Sequence, residues 1–152
     1  QTVADALGHD APTTDFRLGT IEDLAALGIE DGSVDVVISN CVLNLVLDKA
    51  QAFAETFRVL RPGGHFCVSD VVSRGELPAA VRTSAELYAG CVAGAMDQDA
   101  YLSLIKEAGF DSVEVVVERP IDLPAGSLPD GADAPLFSVT IRGSRPEVAA
   151  QR

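Results

Sequence analysis

The chain has 152 residues, of which 47% are hydrophobic, and its 11 Lys and Arg against 23 Asp and Glu give a formal net charge of −12. This length is typical of a single domain, and the apolar content excludes a disordered chain. The excess of acid repels phosphate backbones and argues against a nucleic-acid partner. Neither a signal peptide nor an apolar run of the roughly 20 residues that span a bilayer is recognisable, so we expect a cytoplasmic protein without membrane contact.

Cysteine usage indicates the same compartment. The three cysteines, Cys41, Cys67 and Cys91, are an odd number without close pairing and do not form a disulfide framework. They are therefore expected to be thiols in a reducing environment. Cysteine is often a small buried hydrophobe, and that interpretation is favoured for Cys67, which lies inside a predicted strand. For Cys41 and Cys91 the residues alone favour the same structural role but leave a ligand role open.

Two short elements are predicted before the first strongly patterned stretch. Thr14 to Leu18 reads TDFRL and is a strand candidate. Ile21 to Leu27 is predicted to be a short helical segment with Thr20 as its N-cap. The sequence Glu30-Asp31-Gly32 then marks a turn before the next strand.

The stretch from Ser33 to Val46 reads SVDVVISNCVLNLV and organises the rest of the prediction. Its apolar, β-branched part, Val34 to Ile38, is typical of a strand buried on both faces in a parallel sheet. The run stops at small and polar residues that include Asn40 and Cys41. Ligands of open α/β sheets bind beyond the carboxyl ends of the strands. The sequence thus predicts an amide and a thiol side by side at the edge where ligands bind.

The remaining elements alternate between helix and strand. Asp48 is a good N-cap for the next helix, and Gly109 a good terminator for the last one. In chain order the predicted elements are a helix from Lys49 to Leu60, a turn at Arg61-Pro62-Gly63-Gly64, a strand from His65 to Val72, helices from Leu77 to Tyr88 and from Asp97 to Lys106, and strands from Asp111 to Glu118 and Leu136 to Arg142. Strand, helix and strand in this order, with long connections, predict a right-handed crossover in a parallel α/β sheet.

Several segments together resemble a known superfamily. They are VDVVISN, a helix ending in FRVLRPGG, a strand ending in Ser69-Asp70, and EAGF before a valine-rich strand. This combination resembles the class I methyltransferases that use S-adenosylmethionine, over nearly all of Phe16 to Arg142. Within that superfamily, Ser39 to Leu45 (SNCVLNL) and Tyr88 to Ala95 (YAGCVAGA) resemble the arsenite methyltransferases. The resemblance implies a partial Rossmann-like α/β sheet that is mostly parallel, with the antiparallel strand at Leu136 to Arg142.

The resemblance also implies a set of site residues. The loop Gly19 to Glu22 matches the one that packs on the adenine, and two residues after the central strand flank the cofactor. The residues implied to contact S-adenosylmethionine are Thr20, Ile21, Glu22, Asn40 and Val42. Cys41 and Cys91 match the two thiols that hold trivalent arsenic near the methyl donor.

These residues suit a definite chemistry. Trivalent arsenic is a soft centre and thiolates are soft ligands, so two thiols can hold it while its lone pair stays available to a methyl group. The expected function is methyl transfer from S-adenosylmethionine to arsenite or its thiol conjugates, as in arsenic detoxification. Two alternatives remain open from the sequence. One is a methyltransferase for another class of small molecule, and the other is a non-catalytic, methyltransferase-like binding module.

The sequence also departs from the family pattern. A full member begins with a glycine-rich turn after its first strand and an acidic residue at the end of its second strand, whereas the only glycine here before Gly19 is Gly8. Residues 1–143 are therefore expected to be the C-terminal two-thirds of a methyltransferase domain, followed by a tail over 144–152, with weak or no activity on their own. Without the family's first strand, Val34 to Ile38 is left with an open edge, which either Thr14 to Leu18 or a second copy of the chain can cover, and we expect a homodimer or a tighter oligomer.

Overall fold

The computed structural model describes residues 14–82, 92–122 and 135–147. Its strands are β1 (Val34–Asn40), β2 (Leu60–Ser73), β3 (Met96–Asp97), β4 (Asp111–Ile121) and β5 (Leu136–Ser144). Its helices are α1 (Lys49–Val59), α2 (Ala79–Arg82) and α3 (Gln98–Glu107), with 3-10 turns at Ile21–Asp23 and Leu43–Leu45.

These strands form one mixed sheet in the order β1-β2-β5-β4, with the short β3 pairing beside the end of β2. β1, β2 and β3 are parallel to one another, whereas β5 is antiparallel to both of its neighbours. The predicted α/β fold with an antiparallel strand near the C-terminus is therefore confirmed. β5 continues to Ser144, two residues beyond its predicted end.

The main core lies between the sheet and the helices α1 and α3. Phe53 of α1 packs edge-on against Tyr101 of α3, with ring centroids 5.4 Å apart. Phe66 of β2 is equally buried and lies 4.6 Å, centroid to centroid, from Phe110, which follows α3. Edge-to-face contacts of this kind stabilise a core beyond the area that they bury. The core thus fixes α1 against the same strands whose carboxyl ends carry the predicted site.

Side chains form hydrogen bonds with backbone groups at both ends of α1. The Asp48 carboxylate accepts a hydrogen bond from the backbone N–H of Gln51 at 2.9 Å, which confirms the predicted N-cap. At the other end, Arg145 donates to the carbonyls of Phe57, Arg58 and Leu60 at 2.9, 3.0 and 2.7 Å. Arg145 follows β5, so this contact ties the last strand to the C-terminus of α1. The N-terminus of α1 consequently faces the carboxyl edge of β1 and β2.

Two strand predictions are wrong. As expected, β1 has an open edge, with β2 as its only partner among the described residues, but it is not buried on both faces, since Ile38 is 80% exposed. Thr14 to Leu18 belongs to no strand of the described part, and Phe16 and Leu18 are 93% and 99% exposed. The causes differ, because Thr14 to Leu18 has no described strand to pair with, whereas Val36 and Ile38 point to a face of β1 that no described element covers.

Smaller corrections concern helices and turns. The segment predicted from Ile21 to Leu27 forms only a single 3-10 turn followed by further turns, and the Thr20 side chain makes no capping hydrogen bond. Arg61 to Gly64 lies within β2, where the pairing register with β1 shifts, instead of in a separate turn. Of the helix predicted from Leu77 to Tyr88, α2 starts two residues late, after Leu77 and Pro78, and residues 83–88 lie outside the described part. No helix in the described ranges is long and apolar enough to cross a membrane.

Candidate active site

Cys41 stands at the carboxyl end of β1 in a conformation that few residue types adopt. Its φ angle is 56°, in the left-handed region that costs a residue with a Cβ about 1–2 kcal/mol. The backbone N–H of Cys41 donates to the Ser69 carbonyl at 2.7 Å, which continues the β1–β2 pairing up to the turn. The chain therefore leaves the sheet abruptly at Cys41. Strain held at the end of a strand is typical of functional positions.

The side chain of Cys41 is partly buried against a second apolar cluster. The buried residues of this cluster are Val71, Leu77, Val81, Val92, Ala95 and Leu136. Val92 is the residue that follows Cys91 in sequence, while Cys91 itself lies outside the described residues. The structure thus brings Cys41 against the segment that begins at Val92 and leaves the predicted pairing of Cys41 with Cys91 untested.

Gly94 marks where this segment crosses the Cys41 loop. A Cβ atom built on Gly94 would lie far inside van der Waals contact with the backbone carbonyl of Asn44. Only glycine permits this approach, since a backbone atom cannot move aside as the end of a side chain can. The segment after Cys91 therefore packs directly on the loop that follows Cys41, as expected for an insert folded over the strand ends.

Asn44 is held by two charged side chains. Lys49 Nζ donates to the Asn44 carbonyl at 3.2 Å and to the Val46 carbonyl at 2.9 Å. The Asn44 backbone amide faces the carboxylate of Asp70, which is 3% exposed and accepts a hydrogen bond from the Tyr101 hydroxyl at 2.9 Å. The loop from Cys41 to Val46 thus rests on a buried polar network.

Burial is the largest cause of the pKa shifts of Asp70, Lys49 and Tyr101. It raises the pKa of Asp70, against the opposing effects of the Tyr101 hydroxyl, the Asn44 amide and the Lys49 charge. It lowers the pKa of Lys49, which the Asp70 charge partly offsets. The pKa of Tyr101 is raised, first by burial and then by the Asp70 charge. A low-dielectric site strengthens the attraction between Lys49 and Asp70.

The predicted cofactor residues belong to two segments, the turn out of β1 and the loop before the 3-10 turn Ile21–Asp23 together with that turn. Asn40 is exposed and Val42 is 49% exposed at the turn out of β1. Ile21 packs against the main core, and the Glu22 carbonyl accepts a hydrogen bond from the Gln51 side chain in the first turn of α1 at 3.3 Å. Thr20 is exposed beside them. The structure therefore fixes Glu22 beside the first turn of α1 and places Asn40 and Val42 at the turn out of β1.

A buried acid in α1 holds the loop that contains Thr20, Ile21 and Glu22. Glu55 accepts hydrogen bonds from the backbone N–H groups of Leu24 and Ala25 at 2.8 and 3.2 Å. Its carboxylate also pairs with Arg58 at 2.7 Å. The Arg58 hydrogen bond is the main reason that the pKa of Glu55 falls from 4.5 to about 2. Glu55 therefore stays ionised and keeps this loop on α1.

Two clefts lie near the segments that carry the predicted site residues. One of about 720 Å³ is lined by Arg17, Ile21, Leu27 and Val34 among others, at the amino end of β1 and away from Cys41. Another of about 570 Å³ lies between Leu77 and the segment 93–97. The larger cleft is the less relevant one, because ligands of such sheets bind at the carboxyl ends of the strands.

A model of the methyltransferase domain matches residues 4–109 of the chain. The chain belongs to the methyltransferase family. Among curated relatives, the arsenite methyltransferase of Halobacterium salinarum is 45% identical over 107 residues, which are 70% of this chain and 27% of that protein. The arsenite methyltransferase of Aquipseudomonas alcaligenes is 39% identical over 128 residues, or 84% of this chain and 37% of that protein.

The structural comparison agrees. The crystal structure of an arsenic(III) S-adenosylmethionine methyltransferase from Chlamydomonas reinhardtii superposes with a TM-score of 0.83 at 37% identity, covering 98% of this chain and 49% of that one. The predicted resemblance to the arsenite methyltransferases is thus confirmed. This chain spans less than half the length of each of these three relatives.

Sequence reasoning missed the support of the loop. Lys49, Asp70 and Tyr101 were not predicted as site residues, and neither was Gly94. Asp70 carried a usable signal, because it follows an apolar strand run at the carboxyl edge of a predicted parallel sheet. Tyr101 and Lys49 carried none, since a tyrosine in an apolar helix stripe and a lysine in a first helical turn are common in any globular protein.

Proposed function

We propose that this chain contributes the arsenic-holding part of an S-adenosylmethionine-dependent arsenite methyltransferase. The observation that carries the proposal is the position of Cys41, which lies at the carboxyl end of β1 on a left-handed backbone and packs against the cluster that contains Val92. Identities of 39–45% to arsenite methyltransferases over at least 70% of the chain support the substrate class.

In the proposed reaction, Cys41 and Cys91 hold trivalent arsenic as thiolates. Soft thiolate ligands match soft arsenic, and two of them leave its lone pair available. S-adenosylmethionine, when bound, supplies an electrophilic methyl group. The protein then needs no strong base, and its contribution is the alignment of the arsenic with the methyl carbon, a kind of positioning worth up to about 7–11 kcal/mol in favourable systems.

The residues present fit one wall of a cofactor site. Asn40 offers an exposed amide, Val42 an exposed apolar surface, and Ile21 an apolar side chain fixed on the core. We propose that these residues, with Thr20 and Glu22, would hold the adenosine part of S-adenosylmethionine. Asn40 and Val42 flank Cys41 in the sequence, at the left-handed turn where β1 ends, which supports this proposal.

The substrate is proposed to be a small molecule, arsenite or a conjugate of it with a cellular thiol. Arsenite in a conjugate can exchange its thiol ligands one by one for Cys41 and Cys91, because thiolates replace one another at such centres. A reducing compartment such as the cytoplasm suits this exchange, since both protein thiols must stay reduced.

We also propose that two copies of the chain associate through β1. An edge strand with exposed apolar side chains, here Val36 and Ile38, is a template for pairing with another strand. Light scattering after size-exclusion chromatography is expected to give a mass of two chains at micromolar concentration. A mass of one chain across the accessible concentration range contradicts this part of the proposal.

The test of the arsenic site is a titration of the purified chain with phenylarsine oxide, which bridges two nearby thiols. Saturable binding of one arsenical per chain is expected, and Cys41→Ser and Cys91→Ser should each abolish it. Cys67→Ser is the matched control, because Cys67 lies within β2 and should leave binding unchanged. Binding that survives the loss of Cys41 or Cys91 contradicts the arsenic assignment.

A further inference from the structure

The loop between β1 and α1 is supported by charged groups that the proposed chemistry does not use. We infer that Lys49, acting with the buried Asp70–Tyr101 pair, is a positioning residue that fixes the Cys41 turn for arsenic binding, an inference that rests on the proposed function. The support acts at Asn44, three residues after Cys41.

Lys49 holds the carbonyl side of the loop. Its Nζ donates to the carbonyls of Asn44 and Val46, at 3.2 and 2.9 Å, from the first turn of α1. Hydrogen bonds from a charged donor are about twice as strong as neutral ones. The loop is thereby tied to α1, which the main core packs against the sheet.

Asp70, together with Tyr101, holds the backbone amide of Asn44. The Asp70 carboxylate faces the backbone amide of Asn44, and the Tyr101 hydroxyl donates to it at 2.9 Å. Both side chains are buried, Tyr101 completely. Asn44 is thus held between Lys49 on its carbonyl and Asp70 on its amide, while Gly94 packs against the same carbonyl.

The restraint at Asn44 reaches Cys41 through a short, regular piece of backbone. The N–H groups of Leu45 and Val46 donate to the carbonyls of Val42 and Leu43 at 2.9 and 3.1 Å, which makes the loop one 3-10 unit. Cys41 in turn keeps a left-handed φ that a less restrained loop would release. A loop freed at Asn44 would therefore let the Cys41 backbone relax and move its thiol.

Half-burying the Lys49 ammonium and burying the Asp70 carboxylate both cost solvation free energy. A loop with only a structural role does not need these charged groups. Apolar side chains of the same volume often stabilise a protein as well as a buried ion pair does. Buried charged groups whose pKa values are shifted cluster at functional sites. Here they surround the backbone next to the candidate arsenic ligand, which favours a role in its placement.

The test compares Lys49→Met with Lys106→Met in the full chain. Lys49 and Lys106 are the only two lysines, and Lys106 is exposed in α3, so the two variants remove the same charge from different places. The readout is the rate at which iodoacetamide alkylates each cysteine, followed by peptide mass mapping well below the unfolding temperature. Cys67 in β2 serves as the internal reference.

Lys49→Met removes both hydrogen bonds from Nζ to the loop and is expected to speed alkylation of Cys41 at least about tenfold, the effect of losing one charge-assisted hydrogen bond alone, with Cys67 unchanged. It should weaken phenylarsine oxide binding by about the same factor. Tyr101→Phe, which removes only the hydroxyl that Asp70 accepts, should act in the same direction. Lys106→Met should match the unmodified chain in both measurements.

The outcomes separate this inference from the proposed function. A Cys41 rate that neither Lys49→Met nor Tyr101→Phe changes overturns the positioning role, and so does an equal acceleration of Cys41 and Cys67, which indicates general loosening. If the unmodified chain does not bind the arsenical, the proposed function fails, and the selective change in Cys41 alkylation still decides whether Lys49 fixes the turn.

Discussion

At the scale of single residues, Cys41 combines a reactive side chain with a backbone conformation that disfavours it. Its φ of 56° lies in the left-handed region. Glycine adopts that region without the penalty of about 1–2 kcal/mol that a Cβ incurs. Local stability therefore does not favour a cysteine at this turn.

Cys41→Gly is expected to be more stable than Cys41→Ala by about 1 kcal/mol in urea unfolding, because glycine relieves the left-handed turn. The matched pair is at Cys67, in the interior of β2. There Cys67→Gly should be less stable than Cys67→Ala by a similar amount, since glycine weakens a strand. An order at Cys41 that equals the order at Cys67 contradicts the idea of strain at the turn.

The positions of Asn40 and Cys41 could be predicted because they depend on a local pattern. An apolar β-branched run that stops at small polar residues indicates the carboxyl end of a strand, and the structure ends β1 at Asn40. Lys49, Asp70 and Tyr101 lie on three different elements, and nothing in their own surroundings in the sequence indicates that they meet. Contacts of this kind follow from tertiary packing.

At the scale of elements, the 3-10 turn Ile21–Asp23 depends on α1 for its position. Glu55 binds the backbone that follows this turn, and its side chain is only 10% exposed. Its pKa lies below the ordinary value of 4.5, at about 2. The contribution of Glu55 to stability is therefore fully present above about pH 4.5 and is lost as the pH falls towards 2.

Glu55→Gln is expected to lower the free energy of unfolding by about 1–2 kcal/mol at neutral pH, because it removes the charge that Arg58 and two backbone amides bind. The difference from the unmodified chain should shrink as the pH falls from 4.5 towards 2. Urea unfolding at several pH values measures it. Glu107→Gln, at an exposed position at the end of α3, is the control and should show neither effect.

The contact between Gly94 and the Cys41 loop joins two elements that are far apart in sequence. Gly94→Ala should destabilise the chain by about 1–3 kcal/mol, because the added methyl group meets the rigid carbonyl of Asn44. Gly19→Ala should cost less, since its methyl group meets only the end of the Leu27 side chain. Thermal unfolding of both variants provides the measurement, and equal losses contradict a specific packing role for Gly94.

Element prediction succeeded where the signals were local and failed where a partner was needed. The helix α1 begins at a capping Asp48 and ends at Val59, within one residue of the predicted end, because the N-cap and the apolar stripe are encoded in adjacent residues. The strand at Thr14 to Leu18 and the burial of β1 were predicted wrongly, because a strand pattern does not state whether a neighbouring strand is present or whether another element covers each face.

At the scale of the whole molecule, the two edges of the sheet differ. β4 forms one edge, with two breaks in its pairing register with β5, several charged residues and Pro120, features that discourage pairing with another strand. β1 forms the other edge with the exposed apolar side chains Val36 and Ile38, and Asp35 is its only charged residue. Association through the sheet is therefore expected at β1 and not at β4.

Ile38→Glu is expected to shift the chain from dimer to monomer, because it places a charge where two β1 strands would meet. Its effect on stability should be small, within about 0.5 kcal/mol, as Ile38 is 80% exposed. The control is Val116→Glu, which introduces the same charge at an exposed position on the opposite edge strand, β4, and should leave the mass unchanged. Sedimentation velocity distinguishes the two variants. If Val116→Glu separates the copies and Ile38→Glu does not, the chain associates through β4, and the open edge at β1 is not the site of dimerisation.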